Sequence, residues 1–237
     1  MPAIVRITRV PPIRHVLVLA GLLLAAGAAA EPAHYRLDPV HTRVLFAVEH
    51  AGFSRALGTV SGSTGTLDFD PADWTTARLQ ASVPLTRADL GDAAWNKAAL
   101  AGNLLDVADH PTAEFVSTRI EPIAPDRARV HGTLTLHGVS REATLEVKLN
   151  ALKRHPLPPF RRTVGFSATA TLSRKAFGID AWPSVIGDDV ELRIEAEAVR
   201  ARADGDDDAT DPPETASAST TAQQAAPAST PDPEPTP

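Results

Sequence analysis

The chain has 237 residues, a formal net charge of −6 at pH 7, 43% hydrophobic residues and no cysteine. The lack of cysteine excludes disulfides and cysteine-based lipid attachment, so stability must come from a sufficiently large core. Removing the eight acids of residues 204–237 and the three arginines of residues 1–30 leaves a formal charge of −1 for residues 31–203. A nearly neutral domain gives no support for binding to nucleic acid or to an anionic membrane surface.

The first thirty residues have the features of a secretory signal peptide. Arg6, Arg9 and Arg14 form a basic start, an apolar run follows from Val16 to Ala26, and small residues precede Glu31. The run is shorter than the roughly 20 residues of a membrane span. We therefore predict that residues 1–30 are a cleaved signal, that the protein is periplasmic, and that it has no stable membrane insertion. An uncleaved anchor is the alternative.

Residues 31–203 have the length of one domain and alternate apolar with polar residues in the manner of β-strands. The pattern is clearest over 130–149, where two alternating runs joined by residues 138–141 predict an antiparallel hairpin. The same alternation predicts eight strands along the domain. They are placed at 43–50, 57–69, 77–86, 112–122, 127–137, 142–152, 163–173 and 189–200.

Between the third and fourth predicted strands, residues 89–101 are rich in alanine and predict a short helix. Asp89 or Asp92 can cap its start and Gly102 its end. Eight antiparallel strands with short links can close into a barrel, which removes exposed strand edges. The predicted fold is therefore an all-β, eight-stranded antiparallel barrel with a helical insertion that lies across one end.

The C-terminal residues 204–237 form a separate segment. They contain no Val, Ile, Leu, aromatic residue, Lys or Arg, and carry eight acids among Ala, Ser, Thr and Pro. Such a composition cannot bury enough apolar surface to offset the entropy of ordering, which predicts a disordered tail. A role for the tail in partner binding is the alternative.

The interior of such a barrel is either filled by side chains or holds one small ligand. Several inward positions are small residues, which leave room for an apolar slot. A tightly packed interior is the alternative. The residues predicted to line a tunnel are Phe46, Val48, Phe69, Leu79, Val83, Phe115, Leu134, Phe166, Ala168 and Ala170.

Four polar residues are predicted at the mouth of this barrel: Asp38, His41, His50 and Arg174. Asp38 is placed to hold His41, and Arg174 can hold a phosphate or carbonyl head group or pair with Asp188 or Asp189. No metal site is predicted, because His41 and His50 are too far apart on one strand to share an ion. No catalytic motif or cofactor-binding fingerprint is present, so neither a cofactor nor catalysis is predicted.

Four ordered blocks extend over nearly the whole domain. They are Tyr35-x-Leu37-Asp38-x-x-His41-Thr42 with Phe46-x-Val48-x-His50-x-Gly52-x-Ser54; Leu104-Leu105-Asp106-Val107-x-x-His110-Pro111-Thr112-x-x-Phe115; Gly132-x-Leu134-Thr135-Leu136-His137-Gly138-Val139-Ser140; and Arg174-x-x-Phe177-Gly178 with Gly187-Asp188-Asp189-Val190. Their order and spacing resemble the YceI-like family, the lipocalin-like polyisoprenoid-binding proteins of bacterial periplasms.

The resemblance implies a lipocalin-like barrel whose tunnel accepts a long isoprenoid or similar amphiphile for carriage, storage or sequestration. An enzyme or redox accessory protein acting on an isoprenoid quinone, beside a membrane electron-transfer partner, is the alternative. Lys175-Ala176 and the helix at 89–101 depart from the family's usual pattern, which leaves the accepted head group open. A homodimer and a monomer are both compatible with the sequence.

Overall fold

The computed structural model describes residues 31–201, so the predicted signal peptide and the acidic segment 204–237 lie outside the described residues. This part of the chain contains eleven strand segments and one α-helix, α1. The segments are β1 (Ala33–Leu37), β2 (Arg43–His50), β3 (Ser54–Ser61), β4 (Thr64–Phe69), β5 (Arg78–Pro84), β6 (Ala88–Asp89), β7 (Thr112–Ala124), β8 (Arg127–Leu136), β9 (Val139–Arg154), β10 (Arg162–Ser173) and β11 (Ile186–Arg200), with α1 (Ala93–Leu100) between β6 and β7.

The segments form one closed antiparallel barrel of eight strands. Three of these strands are interrupted: β1 continues into β2, β3 into β4, and β5 into β6. The barrel closes through β11. The C-terminal end of β11 pairs with β1, and the N-terminal part of β11 pairs with β2. Neighbouring strands of the barrel are antiparallel. Tight turns, such as the one between β8 and β9, can join only antiparallel strands.

The two ends of the barrel differ. At one end, which we call the mouth, lie the β2–β3 turn, the segment from α1 to β7, the β8–β9 turn and the β10–β11 loop. At the other, which we call the closed end, lie the β4–β5 loop, the β7–β8 turn and the β9–β10 loop. Because successive strands run in opposite directions, successive links along the chain lie at opposite ends of the barrel.

The closed end contains the main apolar core. Trp74, in a short 3-10 turn between β4 and β5, meets Phe69 edge to face at 5.1 Å and Phe166 at 6.2 Å between ring centroids. Phe69 and Phe166 also meet edge to face, at 5.5 Å. Edge-to-face contacts are the favoured geometry for aromatic rings, so three rings from three parts of the chain form the floor of the interior.

The eight predicted strands all occur, with boundaries shifted by a few residues, and the predicted barrel is confirmed. The first strand is longer than predicted, because β1 precedes β2 across a break at residues 38–42. The predicted strand at 57–69 is divided by Gly62, whose φ of 81° is favourable for glycine. The helix begins only at Ala93, with Asp92 as its N-cap and Ala101 rather than Gly102 as its C-cap.

No helix within residues 31–201 is long and apolar enough to cross a membrane.

Candidate ligand-binding tunnel

The barrel encloses a cavity of about 540 Å³. This volume lies within the range of pockets that hold small-molecule ligands. The cavity extends from the aromatic floor at the closed end to the mouth, where Trp95, Trp182 and Val185 line it and are also exposed to solvent. The interior is therefore a tunnel with an opening at the mouth.

Alternation along the strands produces the apolar wall. In β11, Val190, Leu192 and Ile194 line the tunnel, while the intervening Glu191 and Arg193 are exposed on the outside. Nine of the ten residues predicted to line a tunnel do so; they are Phe46, Val48, Phe69, Leu79, Val83, Phe115, Leu134, Phe166 and Ala168. The tenth, Ala170, does not; the larger Leu192, directly opposite it on β11, lines the tunnel.

Two glycines in the tunnel wall leave space that is filled by aromatic rings from adjacent strands. The ring of Phe46 lies against Gly58 on the adjacent strand, in the space that a Cβ would need. The ring of Phe115 likewise occupies the Cβ position of Gly132. The inward position of Gly132 therefore does not enlarge the tunnel, contrary to the expectation for small inward residues, because Phe115 fills its space.

Five residues lining the tunnel within the described part of the chain are not apolar: Thr42, Glu49, His50, Ser63 and Arg174. Glu49 and His50 end β2, and Arg174 follows β10, so all three ionisable groups belong to the mouth. Thr42 and Ser63 lie at the breaks within the first and second barrel strands, about halfway along the wall. Among the described residues, the deeper wall thus contributes hydroxyl groups but no acid–base group.

His50 and helix α1 form one side of the mouth. The His50 ring lies 5.3 Å from the Trp95 ring, and Trp95, Ala98 and Ala99 present one face of the helix to the tunnel. The helix start is fixed by the Asp92 carboxylate, which accepts hydrogen bonds from the backbone N–H groups of Ala94 and Trp95. The predicted placement of the helix across one barrel end is therefore correct.

Arg174 is buried, with 5% of its surface exposed, and holds the other side of the mouth. Its guanidinium donates hydrogen bonds to the carbonyl oxygens of Gly187 (2.8 Å), Ile179 (2.7 Å) and Ile186 (2.8 Å). These bonds tie together the two ends of the β10–β11 loop, which carries Trp182. The planar guanidinium suits this task because its donors point in fixed directions.

The ion pair of Arg174 with Asp188 or Asp189, which was one of the two interpretations of this residue, is absent from the described residues. The Asp188 carboxylate instead accepts bonds from the Lys175 backbone N–H (3.0 Å) and the Ser173 hydroxyl (2.9 Å). The bond from the Lys175 N–H is the main cause of a pKa of Asp188 below its ordinary value. Asp188 therefore stabilises the same loop through the Lys175 backbone and the Ser173 hydroxyl rather than through an ion pair with Arg174.

Asp38 and His41 contact each other as predicted, but they are not at the mouth. His41 Nδ1 lies 2.8 Å from Asp38 Oδ2, on the outer side of the break between β1 and β2. Partial burial opposes ionisation of Asp38, but hydrogen bonds from His41 and Val40 bring its pKa below the ordinary value. The bond to Asp38 raises the pKa of His41. The pair stabilises a turn in the barrel wall.

The three tryptophans of the chain, at 74, 95 and 182, all line the tunnel, and none was among the predicted site residues. They lie in the 3-10 turn, the helix and a loop, where no alternation indicates which way a side chain points. Trp182 has a φ of 49°, in the left-handed region that bulky residues rarely adopt. Within residues 31–201, no group of three His, Asp or Glu is placed to hold a metal ion.

A family model for the YceI-like domain matches residues 35–198, which is nearly the whole barrel. The chain belongs to the YceI-like family. Among its relatives, a UPF0312 protein of Pseudomonas paraeruginosa is 31% identical over 186 residues, covering 78% of this chain and 95% of the relative. A UPF0312 protein of Serratia proteamaculans is 31% identical over 185 residues, covering 77% and 95%.

Two solved structures share the fold. BcnA of Burkholderia cenocepacia has a TM-score of 0.61 at 22% identity, covering 68% of this chain and 98% of BcnA. A polyisoprenoid binding domain from Saccharophagus degradans, implicated in plant cell wall breakdown, has a TM-score of 0.57 at 13% identity, covering 72% and 99%. At these identities the similarity shows the YceI-like barrel fold alone.

Proposed function

We propose that this protein is a periplasmic lipid-binding protein that holds a long apolar amphiphile in its tunnel, for carriage, storage or sequestration. The ligand is a polyisoprenoid, a quinone-like compound or a fatty acyl compound. The observation that carries the proposal is the apolar tunnel of about 540 Å³, whose ionisable lining groups within the described residues all belong to the mouth. Such a wall favours an apolar chain, because a buried polar group would lose its hydration without gaining a partner.

The same distribution of polar groups favours binding over catalysis. An enzyme acting on a quinone ring inside the barrel needs an acid or a base within hydrogen-bond reach of the reacting group. The deeper wall offers the hydroxyl-bearing Thr42 and Ser63, and both side chains are buried. The Thr42 hydroxyl already donates to the Glu197 carbonyl at 3.2 Å.

We propose that the ligand chain enters first and that its polar end stays at the mouth. There Glu49, His50 and the indoles of Trp95 and Trp182 surround the opening and meet solvent in part. Tryptophan suits such a boundary because one side of the indole is apolar and its N–H can bond to water or to a head group. Arg174 holds the β10–β11 loop with three of its five N–H donors, which bond to carbonyl oxygens.

The proposed periplasmic location follows from the predicted signal peptide and from family membership. The neighbour from Saccharophagus degradans supports the ligand class, because that domain is described as polyisoprenoid-binding.

Native mass spectrometry of the protein purified from the periplasm of its own host, followed by solvent extraction, tests the proposal. We expect a mass increment that disappears on extraction and an extract containing a long-chain lipid. The variant Ala168→Phe, which places a ring in the tunnel, should lose the increment. Protein that carries no lipid under these conditions, and takes up none from an extract of its host's membranes, would overturn the proposal.

A further inference from the structure

The β9–β10 hairpin at the closed end has an unusual charge distribution. Between Glu146 and Asp180 the chain contains seven Lys or Arg residues and no acid. Four of the seven flank the loop that joins β9 to β10, and all four are exposed. They are Lys153, Arg154, Arg161 and Arg162.

These cations face one another rather than acids. Arg154 and Arg162 lie directly opposite each other in the β9–β10 pairing, and Lys153 lies opposite Thr163. Like charges directly opposite across a strand pair destabilise the sheet. None of the four hairpin cations makes an ion pair within 4 Å among residues 31–201. On the other side, β11 adds the exposed Arg200, next to Val199, which lies opposite Thr163.

Two large apolar side chains lie between the cations. Leu157 is 63% exposed and Phe160 is 51% exposed, although the rest of the closed end buries its aromatic rings. The loop is held by hydrogen bonds from the His155 N–H to the Arg161 carbonyl (2.8 Å) and from the Phe160 N–H to the Leu157 carbonyl (2.9 Å). Phe160 has a φ of 56°, a conformation that is costly for a bulky residue.

From this arrangement we infer that the β9–β10 hairpin docks on a bilayer containing anionic phospholipids. Apolar side chains at a tip, flanked by Lys and Arg, match the interface between acyl chains and negatively charged head groups. An acidic polysaccharide would use the cations but would leave Leu157 and Phe160 in water. The formal charge of −1 for residues 31–203 conceals this surface, because the cations of the hairpin are balanced by acids elsewhere on the barrel.

Docking through the hairpin sets the orientation of the barrel. The hairpin belongs to the closed end, and Trp95 and Trp182 belong to the opposite end. The docked protein therefore presents its mouth to the aqueous space and not to the membrane that holds it. This inference concerns the outer surface alone and does not rest on the proposed function of the tunnel.

Vesicle flotation with the purified protein tests the inference. Vesicles of phosphatidylglycerol mixed with phosphatidylethanolamine are compared with vesicles of phosphatidylcholine, at low and high salt. We expect binding to the anionic vesicles alone, and its decrease at high salt through screening. The double variant Arg161→Gln/Arg162→Gln should bind about 30-fold more weakly, since each cation near an anionic surface strengthens binding about fivefold.

A matched control removes two exposed lysines at the mouth, Lys97→Gln/Lys175→Gln, with the same change in charge. We expect the control to bind like the unmodified protein. A further variant, Leu157→Ser/Phe160→Asn, should bind weakly even at low salt while keeping its melting temperature, because both side chains are exposed. Asn is chosen at 160 because it tolerates a positive φ.

Three results would overturn the inference. The first is equal binding to anionic and neutral vesicles, or binding to neither. The second is a loss of binding in the mouth variant with none in the hairpin variant, which would assign docking to the mouth. The third is binding of the unmodified protein to heparin, a soluble polyanion, that is lost in Arg161→Gln/Arg162→Gln while the unmodified protein binds neither kind of vesicle, which would assign the surface to an acidic polymer.

Discussion

The ring of Phe46 lies against Gly58 of the neighbouring strand, in the space where any other residue would place its Cβ. All three atoms closest to that position belong to the Phe46 ring. Phe46 can therefore lie back against the wall instead of extending across the tunnel. The width of the tunnel at this level depends on the absence of a Cβ atom at Gly58.

Gly58→Ala should push the Phe46 ring into the tunnel and reduce bound lipid. Because the ring can move toward empty space, the cost should stay at the low end of overpacking, about 1 kcal/mol. Native mass spectrometry gives the lipid content and urea unfolding gives the stability. Gly165→Ala is the control, since a Cβ there meets only the Ala196 carbonyl oxygen at 3.9 Å. Unchanged lipid content in Gly58→Ala would contradict the prediction.

Ala168→Phe should displace lipid without unfolding the barrel. Ala168 lines the tunnel on β10, so the new ring enters space that the ligand would occupy. In a packed interior the same change would cost about 1–3 kcal/mol through overpacking. Thermal unfolding and lipid content are measured together. Thr169→Phe, which places an equal ring on the exposed outer face of the same strand, is the control. Destabilisation with unchanged lipid content would show that the interior is packed.

Arg174→Gln should destabilise the protein more than it changes lipid affinity. The glutamine cannot reach the carbonyl oxygens of Gly187, Ile179 and Ile186 together, so buried acceptors lose their partners. The expected loss is at least about 2 kcal/mol of unfolding free energy. Hydrogen exchange should increase for residues 179–187, which Arg174 ties together.

Arg174→Lys separates this role from head-group binding. A lysine keeps the positive charge, but it is a point charge without the fixed fork of donors. We expect Arg174→Lys to be nearly as unstable as Arg174→Gln. Full stability with a loss of lipid from Arg174→Gln would instead assign the guanidinium to the ligand.

The Asp38–His41 pair should make stability depend on pH in two windows. The pKa of Asp38 is lowered in the folded protein, so its contribution exists above the ordinary value of 3.8 and is lost as the pH falls through the folded value. The pKa of His41 is raised, so its contribution exists below 6.5 and is lost as the pH rises through the folded value. The pair therefore stabilises most between these two ordinary values.

Urea unfolding of the wild type and of Asp38→Asn across this pH range checks the prediction. The difference in stability should be largest near pH 5 and should decrease toward both ends. The effect should be small, because His41 is exposed. A difference that decreases toward low pH but not above pH 6.5 would show that Asp38 acts through its backbone bonds to Val40 and His41 and not through the His41 ring.

The strands of the barrel could be predicted from the sequence because successive side chains in a strand point to opposite faces, so apolar residues recur at every second position. In β11 the lining residues Val190, Leu192, Ile194 and Ala196 can be read directly from that period. β1 was not predicted, because five residues followed by Asp38-Pro39 are too short to establish a pattern. In the turn that follows, Asp38 accepts bonds from the backbone N–H groups of Val40 and His41, and this turn separates β1 from β2.

The open interior could not be predicted from the sequence in the same way. Whether a small inward residue leaves space depends on the side chain beside it on the adjacent strand. Phe46 occupies the space beside Gly58, and Phe115 occupies the space beside Gly132. The role of Arg174 was also hidden, because its partners are backbone carbonyls, which no residue type identifies. The tryptophans lie outside the strands, where no period applies.

These tryptophans provide a direct test of ligand orientation. Trp74 lies at the floor of the tunnel, while Trp95 and Trp182 lie at the mouth. A lipid that enters chain first places its terminal carbons near Trp74 and its head near the other two. A fatty acid with bromine at the end of its chain should therefore quench Trp74, and one brominated near its carboxyl group should quench Trp95 and Trp182.

Variants with a single tryptophan, in which the other two are replaced by Phe, separate the signals. We expect terminal bromine to quench the protein that retains Trp74 much more than the protein that retains Trp182. Bromine near the carboxyl group should reverse that order. Equal quenching of both proteins by both lipids would indicate surface binding, because the floor and mouth lie at opposite ends of the barrel. The reverse assignment would place the head group on the aromatic floor, where Phe69, Trp74 and Phe166 offer at most the indole N–H as a hydrogen-bond donor.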